Sequence, residues 1–276
     1  MTTKSKSLKL VVILTLLFLS AAYLLPIYVM GSTSLKTLEE INRRTYLALS
    51  SNLQFKNFVE VFNTYKMGGA LLNSSIISVT VTFLAAFFGG LGGYYLARTR
   101  TAFARVLFVL VGIALYLPYQ VVIIPLVVIM ARTHLALTHW GLILSYLVLN
   151  LPLASVLMGT FFLGIPRELE EAAEVDGASR VQTFFQIVAP ISMPAYASVA
   201  IIIFTQVWNE FFLALTLATP KTQTVQVVLS LAKGSFVANY HQQMAAALIS
   251  VSIPLLFFLL LGRYFVRGIL AGAMKG

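Results

Sequence analysis

Apolar residues are grouped into long stretches along this chain, and polar residues lie mainly between them. A helix needs about 20 apolar residues to cross the ~30 Å hydrocarbon layer of a membrane. Stretches of about this length predict an all-α polytopic membrane protein with six transmembrane helices in a single domain over residues 1–276. The predicted spans cover residues 8–30, 71–97, 106–131, 140–163, 194–218 and 244–262.

Several prolines, among them Pro118, Pro125 and Pro254, lie inside the predicted spans. Proline lacks a backbone N–H and its ring clashes with the preceding turn, so it bends or breaks a helix. Neighbouring helices in a bundle can satisfy the backbone groups that such a bend frees. We therefore expect kinks at these positions.

The first apolar stretch has an alternative interpretation as a secretory signal peptide. Lys4, Lys6 and Lys9 precede its uninterrupted apolar run, and residues 20–22 read Ser-Ala-Ala, a weak cleavage site. The apolar run continues through Leu25, which makes it too long for the apolar region of a signal peptide. We therefore predict that this stretch is retained as the first span.

Composition excludes several classes of protein. Charged residues make up 10% of the chain and hydrophobic residues 59%. Since a soluble domain has about 25% charged residues, a soluble enzyme is excluded, as are a disordered and a collagen-like chain. The chain has no cysteine, which excludes disulfides, thiol catalysis and Cys-based metal centres. Its three histidines do not have the spacing of metal ligands, so we expect no metal site.

The formal net charge of +10 would suggest nucleic-acid binding in a soluble protein. Here the basic residues lie at the ends of apolar stretches, so we interpret them as topology signals and expect no nucleic-acid partner. With a cytoplasmic N-terminus, 11 of the 19 basic residues lie inside, and five of the others fall in one long outer segment, residues 31–70. The positive-inside rule therefore favours both termini in the cytoplasm.

The connection formed by residues 164–193 concentrates five of the nine acidic residues of the chain. Pro166 suits the start of a helix, Gly177 suits its end, and Ser179 can cap a second helix up to a break near Pro190. This pattern predicts a short acidic helix, a glycine turn and an amphipathic helix on the cytoplasmic side. The loop could simply cover the bundle. Because anionic lipid headgroups would repel an acidic helix, it could instead dock into a basic groove of a cytoplasmic protein. The five acidic residues are Glu168, Glu170, Glu171, Glu174 and Asp176.

This connection resembles the EAA loop of ABC importer permeases, whose pattern is E-A-A-x3-G-x9-I-x-L-P, and we call residues 164–193 the EAA loop. Ala189 stands where the pattern has Leu. The resemblance implies a coupling helix that sits in a cleft of a cytoplasmic ATPase subunit. It further implies that Glu171 pairs with a basic residue of that ATPase, that Gly177 permits the turn, and that the two alanines allow close approach. The matching residues are Glu171, Ala172, Ala173, Gly177, Ile187 and Pro190.

Motifs elsewhere extend the resemblance over nearly the whole chain. Asn57-Phe58 with Val61-Phe62 is similar to a pattern of the permease family. The W-N-E-F sequence at 208–211 resembles a signature of carbohydrate-type permeases. The C-terminal residues 264–276 resemble the ending of the smaller six-span permease of maltose-type systems. The resemblance implies a type I importer fold and transport of a mono- or oligosaccharide. A permease for a polyamine or an oxyanion, and a secondary transporter, are the alternatives.

The glycine cluster at residues 89–93 lies in an apolar span and lacks the Lys-Ser/Thr of a phosphate-binding loop, so we interpret it as a helix-packing site. Without a phosphate-binding sequence the chain cannot hydrolyse ATP itself, so we expect no enzymatic activity and no cofactor in it. The resemblance implies that the partner ATPase binds ATP and Mg²⁺. The implied partners are a second permease subunit in a heterodimer, two copies of the ATPase subunit, an extracytoplasmic solute-binding protein and the lipid bilayer. The implied location is the cytoplasmic (inner) membrane of a bacterium or archaeon.

Four polar residues inside predicted spans are candidates for a translocation path: Gln120, Gln206, Asn209 and Glu210. Glu210 is the only acidic residue in a predicted span, and such residues are often functional. It lies about 24 Å along its predicted helix at ~1.5 Å per residue, near the outer interface. Hydrogen bonds between helices would explain these polar residues equally well.

Overall fold

The computed structural model describes residues 3–43, 47–233 and 239–273, with side chains described over 8–43, 47–231 and 239–263. Every regular element in these ranges is helical, which confirms the predicted all-α class. The helices are α1 (Thr3–Ser34), α2 (Leu38–Asn42), α3 (Lys56–Thr64), α4 (Met67–Arg98), α5 (Ala102–Tyr116), α6 (Tyr119–Arg132), α7 (His139–Leu163), α8 (Glu168–Val175), α9 (Arg180–Thr183), α10 (Ala189–Ile191), α11 (Met193–Asn209), α12 (Phe212–Leu217), α13 (Val225–Lys233) and α14 (Tyr240–Ala273).

Four of these helices contain segments long and apolar enough to cross a membrane: Leu8–Ser34, Met67–Arg98, His139–Leu163 and Tyr240–Arg263. Two bent pairs of helices are also long and apolar enough to cross a membrane when each pair is taken together. The described part of the chain therefore carries four to six candidate spans. Five of the predicted stretches lie within these helices or pairs, and the stretch 194–218 extends beyond its pair, which ends at Asn209.

The third predicted span is two helices rather than one, because α5 and α6 meet at an angle of 103°. Leu117 has an extended backbone, with ψ at 128°, and Pro118 precedes the first residue of α6. A residue before proline avoids the helical conformation, which accounts for the break. The kink expected at Pro118 is confirmed, whereas Pro125 and Pro254 lie inside the helices α6 and α14.

The predicted helix over residues 194–218 is also interrupted. Helix α11 ends at Asn209, Glu210 is extended with ψ at 132°, and α12 begins at Phe212. The prediction that Glu210 lies within a continuous helix was therefore wrong. The physical reason is a cap, since the Glu210 carboxylate accepts hydrogen bonds from backbone N–H groups at the start of α12.

The chain groups into two compact units. Unit 1 comprises Met1–Gly68 and Val228–Val251, and unit 2 comprises Gly69–Val227 and Ser252–Gly276. In unit 1, the buried amide of Asn57 donates hydrogen bonds to the carbonyl oxygens of Ser34 and Lys36, at 2.9 and 3.0 Å. This side chain, part of a motif noted in the sequence, ties α3 to the chain that follows α1.

Unit 2 is organised by close contact between α4 and α7. A Cβ on Gly93 would lie 2.6 Å from the carbonyl oxygen of Ser155, and a Cβ on Gly89 would collide with the side chain of Ala154. Only glycine permits this approach, so the predicted packing role of the glycine cluster is confirmed. The buried core around this contact includes Ile77, Val81, Tyr146, Met158, Phe162, Ile203 and Leu213.

Candidate functional site

The EAA loop folds as the sequence predicts, with an acidic helix, a glycine turn and a second helix. Helix α8 ends before Gly177, whose φ of +87° is unfavourable for residues with a side chain. Ser179 begins the second helix with a capping box, in which its hydroxyl accepts from the backbone N–H of Gln182 and the Gln182 side chain accepts from the backbone N–H of Ser179. Both boundaries follow from local residue chemistry.

The second helix of the loop differs from the prediction near its end, because it continues past Pro190 and breaks at Ser192. A π-helical turn, Phe184–Val188, ends two residues before Pro190. In an ordinary α-helix, the ring of a proline clashes with the carbonyl four residues earlier. For Pro190 that carbonyl belongs to Gln186, which lies in the wider π turn. The helix is amphipathic, with a buried face formed by Thr183, Phe184 and Val188.

Helix α8 exposes most of its acidic residues. The carboxylate of Glu171 has no hydrogen-bond or ion-pair partner among the described residues, and Ala172 is also exposed. Ala173 is 6% exposed, so it faces its own chain, and only one of the two alanines of the motif points outward. The helix therefore presents a negatively charged outer face.

The remaining motif residues lie beside this face. Gly177 is exposed in the turn after α8, and no atom lies within 4 Å of the position that a Cβ would occupy there. Ile187 is half-buried in the π turn and Pro190 is exposed in α10. The six residues of the motif thus fall on one folded loop.

Glu170, one of the five acidic residues of the loop but not a residue of the motif, makes the main polar contact between α8 and the rest of unit 2. Its carboxylate accepts hydrogen bonds from the Tyr94 hydroxyl at 2.6 Å and from Arg98 Nε at 2.7 Å. Arg98 Nη2 lies 2.6 Å from the same carboxylate and 3.1 Å from the carbonyl oxygen of Ile165. Neighbouring helical residues point about 100° apart because an α-helix has ~3.6 residues per turn, so Glu170 faces inward while Glu171 faces outward.

The structure brings together two of the four candidate path residues. Gln206 and Asn209 are exposed on one face of α11, where they line a shallow groove with Thr205. The Asn209 amide donates to the carbonyl oxygen of Thr205 at 2.8 Å and accepts from the amide of Gln226 at 3.3 Å. Gln120 is exposed in the first turn of α6 and does not line this groove.

Glu210 makes its contacts within its own chain. Its carboxylate accepts a hydrogen bond from the Tyr146 hydroxyl at 2.7 Å and others from the backbone N–H groups of Leu213 and Ala214 at 3.0 and 3.2 Å. The neighbouring Trp208 is buried and stacks on Phe204 with ring centroids 5.6 Å apart. Through these contacts, Glu210 links the break between α11 and α12 to α7.

Within the described ranges, no three His, Asp or Glu side chains are grouped as metal ligands would be. The glycine cluster lies inside α4 rather than in a loop. Its N–H groups are therefore not arranged as a phosphate-binding turn, in which a glycine-rich loop surrounds the phosphates.

The described part of the chain has several candidate membrane spans, and its EAA loop folds and exposes an acidic helix. This is the organisation of a membrane-embedded transport subunit. Residues 89–270 match the family described as "Binding-protein-dependent transport system inner membrane component". The chain belongs to this family. It is therefore a multi-pass inner-membrane permease component, as the resemblance implied, rather than an enzyme.

Relatives along almost the full chain support the assignment. The glucose import system permease protein GlcU of Saccharolobus solfataricus is 33% identical over 95% of this chain and 94% of its own. The melibiose/raffinose/stachyose import permease protein MelC of Bacillus subtilis is 30% identical over 99% of both chains. A chain of a bacterial ABC transporter that imports the polysaccharide alginate has the same fold, with a TM-score of 0.79, 20% identity and coverage of 96% of this chain and 98% of its own.

Proposed function

We propose that this chain is the permease subunit of an ATP-driven importer and that α8 couples it to an ATPase subunit. The observation that carries the coupling is the exposed acidic face of α8, where Glu171 has no partner among the described residues. An ordered helix with an unpaired carboxylate complements a basic groove on a protein. Glu171 forms the ion pair with the ATPase, and Ala172, with its small side chain, permits close approach.

The turn at Gly177 sets the angle between the two helices of the EAA loop. Its φ of +87° is accessible to glycine without strain. Ile187 and Pro190 belong to the second helix, and the buried face of that helix holds the loop on unit 2. Together these residues present α8 as a rigid projection.

The proposed cargo is a mono- or oligosaccharide. Support comes from relatives whose names specify glucose, melibiose, raffinose and stachyose, and from the arabinooligosaccharides transport system permease protein AraQ of Bacillus subtilis, 31% identical over 95% of each chain. The exposed amides of Gln206 and Asn209 are suited to sugar hydroxyls, because an amide both donates and accepts hydrogen bonds. We assign these two residues, with Gln120 and Glu210 as further candidates, to the translocation path.

The proposed transport cycle requires several partners. A loaded solute-binding protein docks on the outer segments, and two copies of a cytoplasmic ATPase subunit bind ATP and Mg²⁺. Closure of the ATPase pair moves α8 and opens the path between this chain and a second permease subunit. Both termini of this chain lie in the cytoplasm of a bacterium or archaeon in this arrangement, in agreement with the distribution of basic residues.

A second cargo class is favoured by one specific relative. The osmoprotective compounds uptake permease protein GgtD of Synechocystis is 37% identical over 79% of this chain and 74% of its own. A small polar osmolyte would use the same amide side chains as a sugar. Competition between labelled sugars and unlabelled osmolytes distinguishes the two classes.

Reconstitution tests the function directly. The chain is co-expressed with a second permease subunit, the ATPase subunit and the solute-binding protein, and the purified complex is inserted into proteoliposomes. ATP-dependent uptake of labelled sugars, with the ATPase retained through purification, is the expected result. Uptake that an ion gradient drives without ATP would contradict the proposal.

A further inference from the structure

The Arg98 end of α4 holds the first helix of the EAA loop through the Glu170 carboxylate. The side chains of Arg98 and Glu170 are only 12% and 13% exposed, and their closest N–O distance is 2.6 Å. Tyr94 lies one turn earlier on α4 and donates to the other oxygen of the same carboxylate. Both carboxylate oxygens are therefore bound to α4.

The second helix of the loop is held by the same turn of α4. The Tyr94 ring lies 4.9 Å from the ring of Phe184 in the π turn and 5.8 Å from the ring of Phe162 at the end of α7. Phe162 and Phe184 are themselves 6.1 Å apart in an edge-to-face arrangement. Aromatic pairs at these separations attract one another beyond simple burial.

The Arg98–Glu170 pair differs from the other ion pairs in the described part of the chain. Arg43 and Glu39 are also 2.6 Å apart, but their side chains are 71% and 75% exposed. Arg180 and Glu174 are 3.9 Å apart and 89% and 56% exposed. Water screens such exposed pairs, whereas the loss of one partner from a buried pair leaves an uncompensated charge.

We propose that Arg98 and Tyr94 are positioning residues that fasten the EAA loop to α4, so that α8 and the Arg98 end of α4 move as one body during transport. This inference rests on the proposed coupling function of α8. The glycine contacts of α4 extend the same body to α7, where Gly93 meets Ser155. A displacement of α8 by the ATPase therefore reaches the transmembrane core without being absorbed in the loop.

Replacement of Glu170 tests this assignment. Glu170→Gln preserves the shape of the side chain but removes the charge that binds Arg98. We expect the ATPase to copurify at the wild-type level, since the Glu171 face is unchanged. Sugar uptake per ATP hydrolysed should fall about tenfold or more, because one partner of a buried charge pair is lost. Glu39→Gln breaks a pair of equal length that is exposed, and it should leave this ratio unchanged.

Two further variants separate positioning from a general loss of structure. The charge-swapped variant Arg98→Glu/Glu170→Arg should recover part of the ratio that either single reversal loses. Tyr94→Phe retains the ring contacts but removes the hydroxyl, and it should lower the ratio by about tenfold, in keeping with one lost hydrogen bond to a charged group. A normal ratio in Glu170→Gln, or loss of ATPase copurification in that variant, would overturn the assignment.

A covalent link provides a test that does not depend on weakening the fold. The chain has no cysteine of its own, so Arg98→Cys/Glu170→Cys can be joined by a flexible thiol-specific cross-linker, with each single variant as the control for partner thiols. Cross-linking should restore coupled uptake if α8 and α4 move together. A cross-linked complex that hydrolyses ATP without uptake would refute the proposal that they move as one body. Absence of ATP-driven uptake by the wild-type complex would instead refute the proposed function.

Discussion

The two acidic residues at the centre of this chain's motifs have opposite surroundings. Glu210 is bound by the Tyr146 hydroxyl and by two backbone N–H groups at the start of α12. Glu171 is exposed on α8 and has no partner among the described residues. A carboxylate that its own chain satisfies stabilises the fold, whereas an unpaired carboxylate on an ordered helix is available to another protein. Acidic character alone does not distinguish these roles.

Glu171→Lys should have the largest effect on transport. A lysine there would face the basic groove proposed for the ATPase, at a cost of about 3 kcal/mol. Since ~1.4 kcal/mol corresponds to a factor of ten, uptake in proteoliposomes should fall about 100-fold at equal permease abundance. Glu39→Lys, a reversal at another exposed site, should retain uptake. Wild-type uptake by Glu171→Lys would contradict the proposal that Glu171 binds the ATPase subunit, and with it the contrast to Glu210.

Glu210→Ala should chiefly reduce stability. It removes the cap of α12 and leaves the buried Tyr146 hydroxyl without its acceptor, at a combined cost of about 2–4 kcal/mol. The expected observation is a lower Tm in detergent, with uptake reduced in proportion to the amount of folded protein. The isosteric Glu210→Gln should have a smaller effect. A normal Tm combined with abolished uptake in Glu210→Gln would instead favour the translocation-path role.

Gly177→Ala should have an intermediate effect. The φ of +87° places the residue where a side chain is disfavoured, at a cost of about 1–2 kcal/mol. Because the turn orients α8, we expect uptake to fall by more than the small loss of Tm accounts for, with both measured on the purified complex. Gly112→Ala is the matched control, since Gly112 lies within α5 and no atom is within 4 Å of its Cβ position. Equal behaviour of both variants would argue against a role for the turn.

Glu40→Gln should have the smallest effect and extends the comparison to a third acidic residue. Hydrogen bonds from the Thr37 backbone and from Ser50 and Ser51 lower the pKa of Glu40 to about 2. A carboxyl group with a lowered folded-state pKa stabilises the protein above its unfolded pKa and loses that contribution as pH falls through the folded value. The Tm difference between wild type and Glu40→Gln should therefore shrink from about pH 4.5 towards pH 2. A Tm difference that stays constant across this pH range would contradict the lowered pKa of Glu40.

Local signals were sufficient for most of the EAA loop. Gly177 as the turn and Ser179 as a cap were predicted correctly because each acts through its own backbone and its nearest neighbours. The continuous helix predicted through residue 218 failed because Glu210 prefers to cap α12, where Tyr146 of α7 also reaches it. Hydropathy does not detect this break, since the flanking residues remain apolar.

The sequence by itself determined the apolar stretches, the all-α class, the acidic loop and the resemblance to importer permeases, because these depend on composition and on residues close together in the chain. Tertiary structure decided which of two adjacent glutamates faces the core. Glu170 turns inward because Arg98, 72 residues earlier, supplies the charge that permits its burial. Glu171, about 100° further around α8 at ~3.6 residues per turn, remains exposed. Charge pairing across that separation exists only once α4 and the EAA loop have packed together.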